Sequence, residues 1–183
     1  MGRIWIDTQI HTTPPLSEGR LGKEMHTYAL LGKLSIPFLR LDHGATATVD
    51  DCLEVERLLD ISICKNLFLT NSRKTEFYLL MMPGEKRYNA GEVAAQIQST
   101  RLSFADASYM EKLLNITPGS VSVLGLMNDK NHGVKLMIDR DLLKQEFVGC
   151  HPCVNTTSLK LRMDDLLKKF LPYTGHEPRY VTL

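Results

Sequence analysis

The sequence lacks the long apolar stretches that membrane proteins require. No run approaches about 18 consecutive apolar residues, so no membrane-spanning helix is expected. The first residues, Met1–Asp7, have no long apolar core followed by a small-residue cleavage site, which is the pattern of a secretion signal. We therefore expect a cytoplasmic protein.

An excess of charge of one sign is also missing, because 22 lysine and arginine residues face 21 acids and leave a net charge of +1. A chain with this balance is not held to nucleic acid mainly by bulk electrostatics, although a local patch can still contact a few phosphates. Cysteine is sparse, and with no export signal we expect free thiols at Cys52, Cys64, Cys150 and Cys153.

Three common motifs for ligand binding are absent. The chain has no G-x-x-x-x-G-K-[ST] phosphate loop, no G-x-G-x-x-G and no H-E-x-x-H, so nothing indicates ATP or a dinucleotide. The Cys150-x-x-Cys153 pair supplies two of the four ligands that a structural zinc ion needs. A redox motif should open a helix, and Pro152 with the hydroxyl-rich run after Cys153 does not resemble a helix start.

At 183 residues, the chain is long enough for one domain with a hydrophobic core. Residues 1–22 are broken by Thr12–Pro15 and by two glycines. We interpret them as an N-terminal arm or a short edge strand, and a homodimer arm is one alternative. Residues 23–183 form the remaining domain. Recurring hairpins without a regular βαβ series predict an α+β fold around a mixed, mainly antiparallel sheet flanked by helices.

Apolar spacing and turn residues predict the individual elements. The predicted helices are 23–35, 48–60 with Thr48 as its cap, 90–98, a helix capped by Asp106 or Ser108, and 163–171. The predicted strands include two hairpins, which pair 61–69 with 77–82 and 121–126 with 134–138.

Three polar stretches interrupt the apolar pattern, and each has two interpretations. A lysine in an apolar strand, Lys65, reaches solvent or lines a pocket. The Gly119-Ser120 turn offers backbone N–H groups to a ligand or is a plain turn. His151, held extended by the following proline, is a base, a hydrogen-bond donor or a core histidine.

Five motifs in this order resemble the YbaK/prolyl-tRNA-synthetase-associated editing domains, and within them the freestanding ProX-like branch. They are Cys64–Leu69, Arg101–Ala105, Thr117–Ser122, Gly125–Asp129 and the His151-Pro152-x-x-Asn155-Thr156-Thr157 run. The resemblance covers residues 24–183. It implies a barrel-like sheet flanked by helices, no metal and no organic cofactor. Where the family often has a proline, this chain has Val123.

The resemblance also implies a reaction. It is the hydrolysis of the ester that joins alanine to the terminal adenosine of a mischarged tRNA for proline, Ala-tRNA(Pro), which maintains translation fidelity. Two alternatives are a neighbouring substrate such as Cys-tRNA(Pro), and a non-catalytic module that binds tRNA or regulates. The implied partners are the acceptor end of tRNA(Pro) and, transiently, prolyl-tRNA synthetase.

Residue roles follow from the same resemblance. Lys65 is expected to anchor the terminal adenosine or its phosphate, and the Gly119 loop to face the aminoacyl carbonyl. The residues expected in catalysis are Lys65, Gly119, Ser120 and His151. Those expected in substrate binding are Asn66, Val121, Ser122, Gly125, Leu126, Asn155 and Thr157. Three cation pairs are expected either to contact phosphates or to be ordinary solvated cations: Arg73-Lys74, Lys86-Arg87 and Lys168-Lys169.

Overall fold

The computed structural model of the chain describes residues 4–45 and 49–183, and it leaves the side chains of residues 49–52 undescribed. Two predictions fall outside these limits. They are the capping role of Thr48 and the position of the Cys52 side chain.

Helices and strands alternate irregularly in the described residues, which confirms the α+β class. The strands are β1 Phe38–Asp42, β2 Lys65–Thr70, β3 Phe77–Met82, β4 Ser103–Phe104, β5 Val134–Asp139, β6 Phe147–Cys150, β7 Thr157–Arg162 and β8 Arg179–Val181. The helices are α1 Gly22–Lys33, α2 Val49–Leu59, α3 Ala90–Ile97, α4 Ala107–Leu114, and α5 Met163–Asp165, which continues through a π-helical segment, Leu166–Phe170, into α6 Leu171–Thr174. Across the same described ranges, no helix is both long enough and apolar enough to cross a bilayer.

The strands form two sheets of linear order. The smaller sheet has the order β1-β7-β6 and is antiparallel. The larger has the order β4-β2-β3-β5-β8, in which β2 is antiparallel to both neighbours and β5 is parallel to both. The mixed, mainly antiparallel prediction is therefore confirmed. Neither sheet closes on itself within the described residues, so the barrel-like feature is not confirmed.

The strand predicted for Val121–Leu126 is wrong. This stretch enters a 3-10 helical segment, Val123–Asn128, which Ser122 begins by accepting a hydrogen bond of 3.2 Å on its Oγ from the Leu124 N–H. Serine side chains that bond to nearby backbone favour such helix starts over strands. The return strand β5 therefore has no hairpin partner here, and it pairs in parallel with β3 instead.

The larger sheet is covered on both faces, because side chains alternate along each strand. On β3, Leu79 and Met81 belong to the main core, which also includes α1 and the last helix. Leu80 and Met82 belong to a second core that packs against α3. This double burial fixes β2 and β3, and with them the position of Lys65 at the start of β2.

The N-terminal arm lies along β1 without forming a regular strand. Its backbone makes isolated antiparallel bridges to β1 and to the residue that follows it. The Asp7 N–H donates to the Asp42 carbonyl at 2.9 Å, and the His11 N–H donates to the Arg40 carbonyl at 2.9 Å. These bonds bring the arm to the edge of the smaller sheet, where the candidate site begins.

Candidate active site

A polar cavity of about 330 Å³ lies between the arm, the start of α1 and the loop that joins β6 to β7. Ser120 and Asn155, two of the predicted site residues, lie in its wall. Among the described residues, those that line it are Trp5, Gly19, Arg20, Leu21, Lys23, Glu24, Asp42, His43, Thr117, Ser120, Val154, Asn155 and Thr156. The fold thus brings together two polar stretches that are about 35 residues apart in the chain.

The turn Thr117–Ser120 forms one wall of this cavity. The Ser120 N–H donates to the Thr117 carbonyl at 3.1 Å, which closes the turn. Gly119 has a φ of +87°, and a Cβ atom placed there would lie 3.5 Å from Nδ2 of Asn155. The Gly119 N–H makes no hydrogen bond to any residue that the structure describes. A backbone donor therefore stands beside Asn155, unused by the fold.

The loop between β6 and β7 carries His151, whose Nδ1 lies 2.9 Å from the Thr157 carbonyl oxygen. Because a carbonyl only accepts, Nδ1 carries the proton and Nε2 of the neutral ring carries the lone pair. Burial lowers the pKa of His151; the bond to Thr157 opposes this change and the nearby His43 ring reinforces it. His151 is therefore a neutral acceptor at physiological pH.

Asp42, at the end of β1, is the centre of a buried charged network beside the cavity. Its Oδ2 pairs with Arg20 Nη2 at 2.5 Å and also with Arg40 Nη1, and its Oδ1 accepts from the Thr157 hydroxyl at 2.9 Å. Arg20 also pairs with Glu24 at 2.9 Å. Burial alone raises the pKa of Asp42, but the hydrogen bonds from both arginines and Thr157 outweigh burial and lower it to about 2. Asp42 is ionised and holds the cavity wall in place.

The sequence pattern did not predict this network, and the family resemblance assigned Thr157 to substrate binding. In the structure Thr157 is fully buried and its hydroxyl bonds within the network. One signal was available, since Arg40 interrupts the apolar run of β1 and a buried arginine needs an acidic partner. Arg20 lies in the irregular arm, where no periodicity indicates that it turns inward.

Lys65 and Asn66 begin β2, next to the end of β6. The Cys64 thiol donates to the Gly149 carbonyl at 3.3 Å and joins the two strands at this point. Lys65 is exposed, and its Nζ donates to the Lys86 carbonyl at 2.9 Å. Asn66 donates from Nδ2 to the Cys64 carbonyl at 3.3 Å, while its buried Oδ1 has no hydrogen-bond partner among the described residues.

A second, less polar cavity of about 640 Å³ contains Lys65 in its wall. Its lining residues are Leu53, Glu56, Ser62, Ile63, Cys64, Lys65, Gly84 and Glu85. Lys65 does not line the polar cavity formed by the Gly119 turn and Asn155. Of the predicted site residues, Ser120 and Asn155 line one cavity and Lys65 lines the other, whereas His151 is not among the lining residues of either. The contact from Cys64 to Gly149 links the start of β2 to β6, the strand that leads to His151.

Four other predicted substrate-binding residues follow the Gly119 turn in the chain and are packed into the domain. Val121 is partly buried against the main core, and Ser122 and Leu126 are almost fully buried. At Gly125, an added Cβ atom would lie 2.4 Å from Cδ1 of Ile116, so only glycine fits without movement. These four residues fix the position of the turn by packing.

The thiols beside the site are buried and protonated. Burial raises the pKa of Cys64 and of Cys153 to about 11. Burial also raises the pKa of Cys150 well above its usual value of 9.0. Since the thiolate is the reactive form, these side chains are not nucleophiles at neutral pH.

Most of the cations proposed as phosphate contacts are already paired with acids. Lys74 pairs with Asp106 at 2.8 Å, and Lys86 pairs with Asp139 at 2.8 Å and with Asp141 at 2.6 Å. Lys168 and Lys169 pair with acids four residues earlier in the chain, at 2.7 Å each. A phosphate would have to displace these acids, so the pairs favour the interpretation as ordinary surface cations.

A model of the aminoacyl-tRNA editing domain matches residues 43–169. The chain belongs to this family. The match confirms the family that the five motifs indicated, and it includes both the Gly119 turn and the loop with His151 and Asn155. The arm and α1 lie outside the matched range.

Editing-domain relatives cover most of the chain. It is 29% identical over 140 residues to the prolyl-tRNA editing protein ProX of Acetoanaerobium sticklandii, which covers 76% of this chain and 85% of that protein. It is 30% identical over 152 residues to prolyl-tRNA synthetase associated domain-containing protein 1 of Bos taurus, covering 81% and 88%.

A solved structure described as a candidate trans-editing enzyme for prolyl tRNA synthetase has the same fold. It matches with a TM-score of 0.65 over 90% of this chain and 99% of that chain. At 15% sequence identity this likeness concerns the fold alone. The aminoacyl-tRNA editing fold is thus present along nearly the whole described chain.

Proposed function

We propose that this editing-domain protein hydrolyses the ester between alanine and the terminal adenosine of mischarged tRNA(Pro). The observation that carries the proposal is the Gly119 N–H, which no described residue accepts, in a turn whose Thr117 and Ser120 line the polar cavity together with the adjacent Asn155. Membership of the aminoacyl-tRNA editing family supports the ester as the substrate. Similarity to the ProX protein supports tRNA(Pro) as the carrier.

The chemistry needs a positioned water molecule and donors for the negative charge that develops on the carbonyl oxygen. We assign the donor role to the backbone N–H of Gly119, and Ser120, whose own N–H closes the turn, holds that donor in place. Water adds to the carbonyl carbon and the ester C–O bond breaks. Alanine then leaves with a free carboxyl group, and the tRNA regains its terminal hydroxyl. The 2′-hydroxyl of the substrate positions the water, so no protein base is required.

His151 and Asn155 shape the end of the site that receives the amino acid. Nε2 of the neutral His151 ring accepts a hydrogen bond from a hydroxyl or ammonium group of the substrate. The Asn155 amide, next to Gly119, holds the aminoacyl group against the turn. Both roles depend on hydrogen bonds in a site from which the substrate excludes bulk water, apart from the molecule that attacks the ester.

Lys65 binds a phosphate near the terminal adenosine, and Asn66 holds the same end of the substrate. The Lys65 ammonium is exposed and has one hydrogen bond, to a backbone carbonyl, so little is lost when it turns to a phosphate. Its position one residue after the contact from Cys64 to Gly149 supports a place beside the His151 loop.

The size of the esterified amino acid determines which aminoacyl-tRNA is hydrolysed. Alanine is smaller than proline, and a synthetase gains only about 1–3 kcal/mol of discrimination from one or two missing methylene groups. A second site that admits alanine and excludes proline provides the missing selectivity. The close packing of Gly125 against Ile116 supports a fixed position of the turn, which such a size test requires.

The experiment is deacylation of Ala-tRNA(Pro) by the purified protein and by its Lys65→Ala variant. The proposal expects the wild type to release alanine well above the spontaneous rate and the variant to release it more slowly. Equal release by both, at the spontaneous rate, would overturn it. Binding of tRNA(Pro) without turnover of any aminoacyl ester would instead identify a non-catalytic module.

A further inference from the structure

The single tryptophan of the chain, Trp5, lies in the wall of the polar cavity with 64% of its surface exposed. The arm fixes this position through its backbone. The Gly44 N–H donates to the Trp5 carbonyl at 2.7 Å, and the adjacent Ile6 bridges His43. These backbone contacts hold Trp5 in the same cavity wall as Ser120 and Asn155, with its large flat ring exposed to solvent.

One cation of the same cavity has no acidic partner among the residues that the structure describes. Arg20 is committed to Glu24 and Asp42. Lys23 also lines the cavity, and no ion pair or side-chain hydrogen bond to it occurs within residues 4–45 and 49–183. An exposed aromatic ring and a lysine available for an anion in the wall of one cavity are the combination that proteins use for single-stranded nucleic acid, in which bases stack and phosphates pair with cations.

We propose that Trp5 stacks on an unpaired base of the 3′ end of the tRNA, and that Lys23 pairs with an adjacent phosphate. The inference rests on the proposed function for its ligand, the acceptor end of a tRNA. Both residues precede the range matched by the editing-domain model, residues 43–169. The arm and α1 thereby take part in substrate binding, although they lie outside the range that the family model matches.

The lone tryptophan gives a direct measurement, because indole emission reports on position 5 alone. The probe is a deacylated RNA minihelix ending in single-stranded CCA, and a blunt minihelix of the same stem is the matched control. Saturable quenching by the first and none by the second is expected. Unchanged emission while anisotropy of a labelled CCA minihelix shows binding would overturn the inference.

Variants separate stacking from a structural role. Trp5→Ala should raise the Kd for the CCA minihelix about tenfold, the range that loss of one stacked base produces, and Trp5→Phe should restore most of the affinity.

Lys23→Met should weaken binding and lower the salt dependence by about one counterion, whereas Lys135→Met, at an exposed lysine of β5, should leave binding unchanged. Unfolding curves of all variants should match the wild type. A Trp5→Ala variant that binds normally but dissociates a dimer would overturn the inference in favour of a second copy of the chain.

The inference and the proposed function fail separately. Trp5 quenching by the CCA minihelix without release of alanine from Ala-tRNA(Pro) would keep the inference and remove the function. Release of alanine with an unchanged KM in Trp5→Ala would keep the function and remove the inference.

Discussion

The Thr157 hydroxyl donates a hydrogen bond of 2.9 Å to Oδ1 of Asp42 and so joins the start of β7 to the end of β1. Through Asp42 this bond reaches Arg20 and Arg40, and through Arg20 it reaches α1. The cavity wall is therefore held by one buried ionic network, and the β6–β7 loop leads directly into it.

Thr157→Val tests this bond, because valine keeps the shape of the side chain and removes the hydroxyl. We expect the free energy of unfolding in urea to fall by about 1–3 kcal/mol, since a buried carboxylate oxygen loses a partner. Thr157→Ser retains the hydroxyl and should lose clearly less. Equal losses in the two variants would show that packing, and not the hydrogen bond to Asp42, stabilises this position.

Acid should weaken the same network. In the folded protein the pKa of Asp42 is about 2, below its usual 3.8, so the unfolded chain takes up this proton first. The stabilisation is complete above 3.8 and is lost as pH falls towards about 2. The full difference corresponds to about 2 kcal/mol. The free energies of unfolding of the wild type and of Asp42→Asn should converge as pH falls through this window. A difference between them that stays constant with pH would contradict the assignment of this titration to Asp42.

Gly119→Ala should impair catalysis. The φ of +87° strains any residue with a side chain, and the added Cβ would contact Asn155. A shift of the turn moves the backbone donor, and loss of one such donor typically costs about a hundredfold or more in kcat. Gly32→Ala, in the last turn of α1 with open space around its Cβ, is the matched control and should keep full activity. Normal deacylation by Gly119→Ala would exclude this turn from the site.

Lys65→Ala should lower deacylation at least about tenfold with little change in stability, because an exposed lysine contributes little to folding. Lys135→Ala provides the comparison, since Lys135 is also an exposed lysine on a strand of the same sheet. Single-turnover and steady-state rates of both variants give the answer. If both variants fall equally, Lys65 acts only through general surface charge.

His151 predicts a pH dependence. Burial lowers its pKa below 6.5, so the ring stays neutral as pH falls through that value and becomes protonated only in more acidic solution. The deacylation rate, corrected for spontaneous hydrolysis, should therefore hold steady to below pH 6.5 and then fall. His151→Gln should lose this acid limb. An unchanged limb in the variant would assign the titration to another group.

Local patterns predicted the parts of the fold that depend on local chemistry. The β2–β3 hairpin has an apolar run on both strands and a polar turn between them, and the two strands pair as predicted, although β2 begins at Lys65 and not at residue 61. The stretch after Gly119 has similar valine and leucine residues, but the capping Ser122 and the tightly packed Gly125 turn it into a 3-10 segment. Periodicity cannot distinguish the two, because the deciding contact, with Ile116, comes from the fold.

The candidate site was predicted in the same partial way. Gly119, Ser120 and Asn155 follow turn and loop signals, and the structure brings them together. The Arg20–Asp42 pair joins residues 22 positions apart, one of them in an irregular arm, and no local pattern indicates it. Long-range ion pairs of this kind become visible only when the strands are in place.

The most direct test of the central claim is a deacylation panel with alanine, cysteine, serine and proline, each esterified to the same tRNA(Pro). The account predicts that the wild-type protein releases alanine fastest and leaves Pro-tRNA(Pro) at its spontaneous rate. Rapid release of proline, or release of cysteine with alanine untouched, would contradict it.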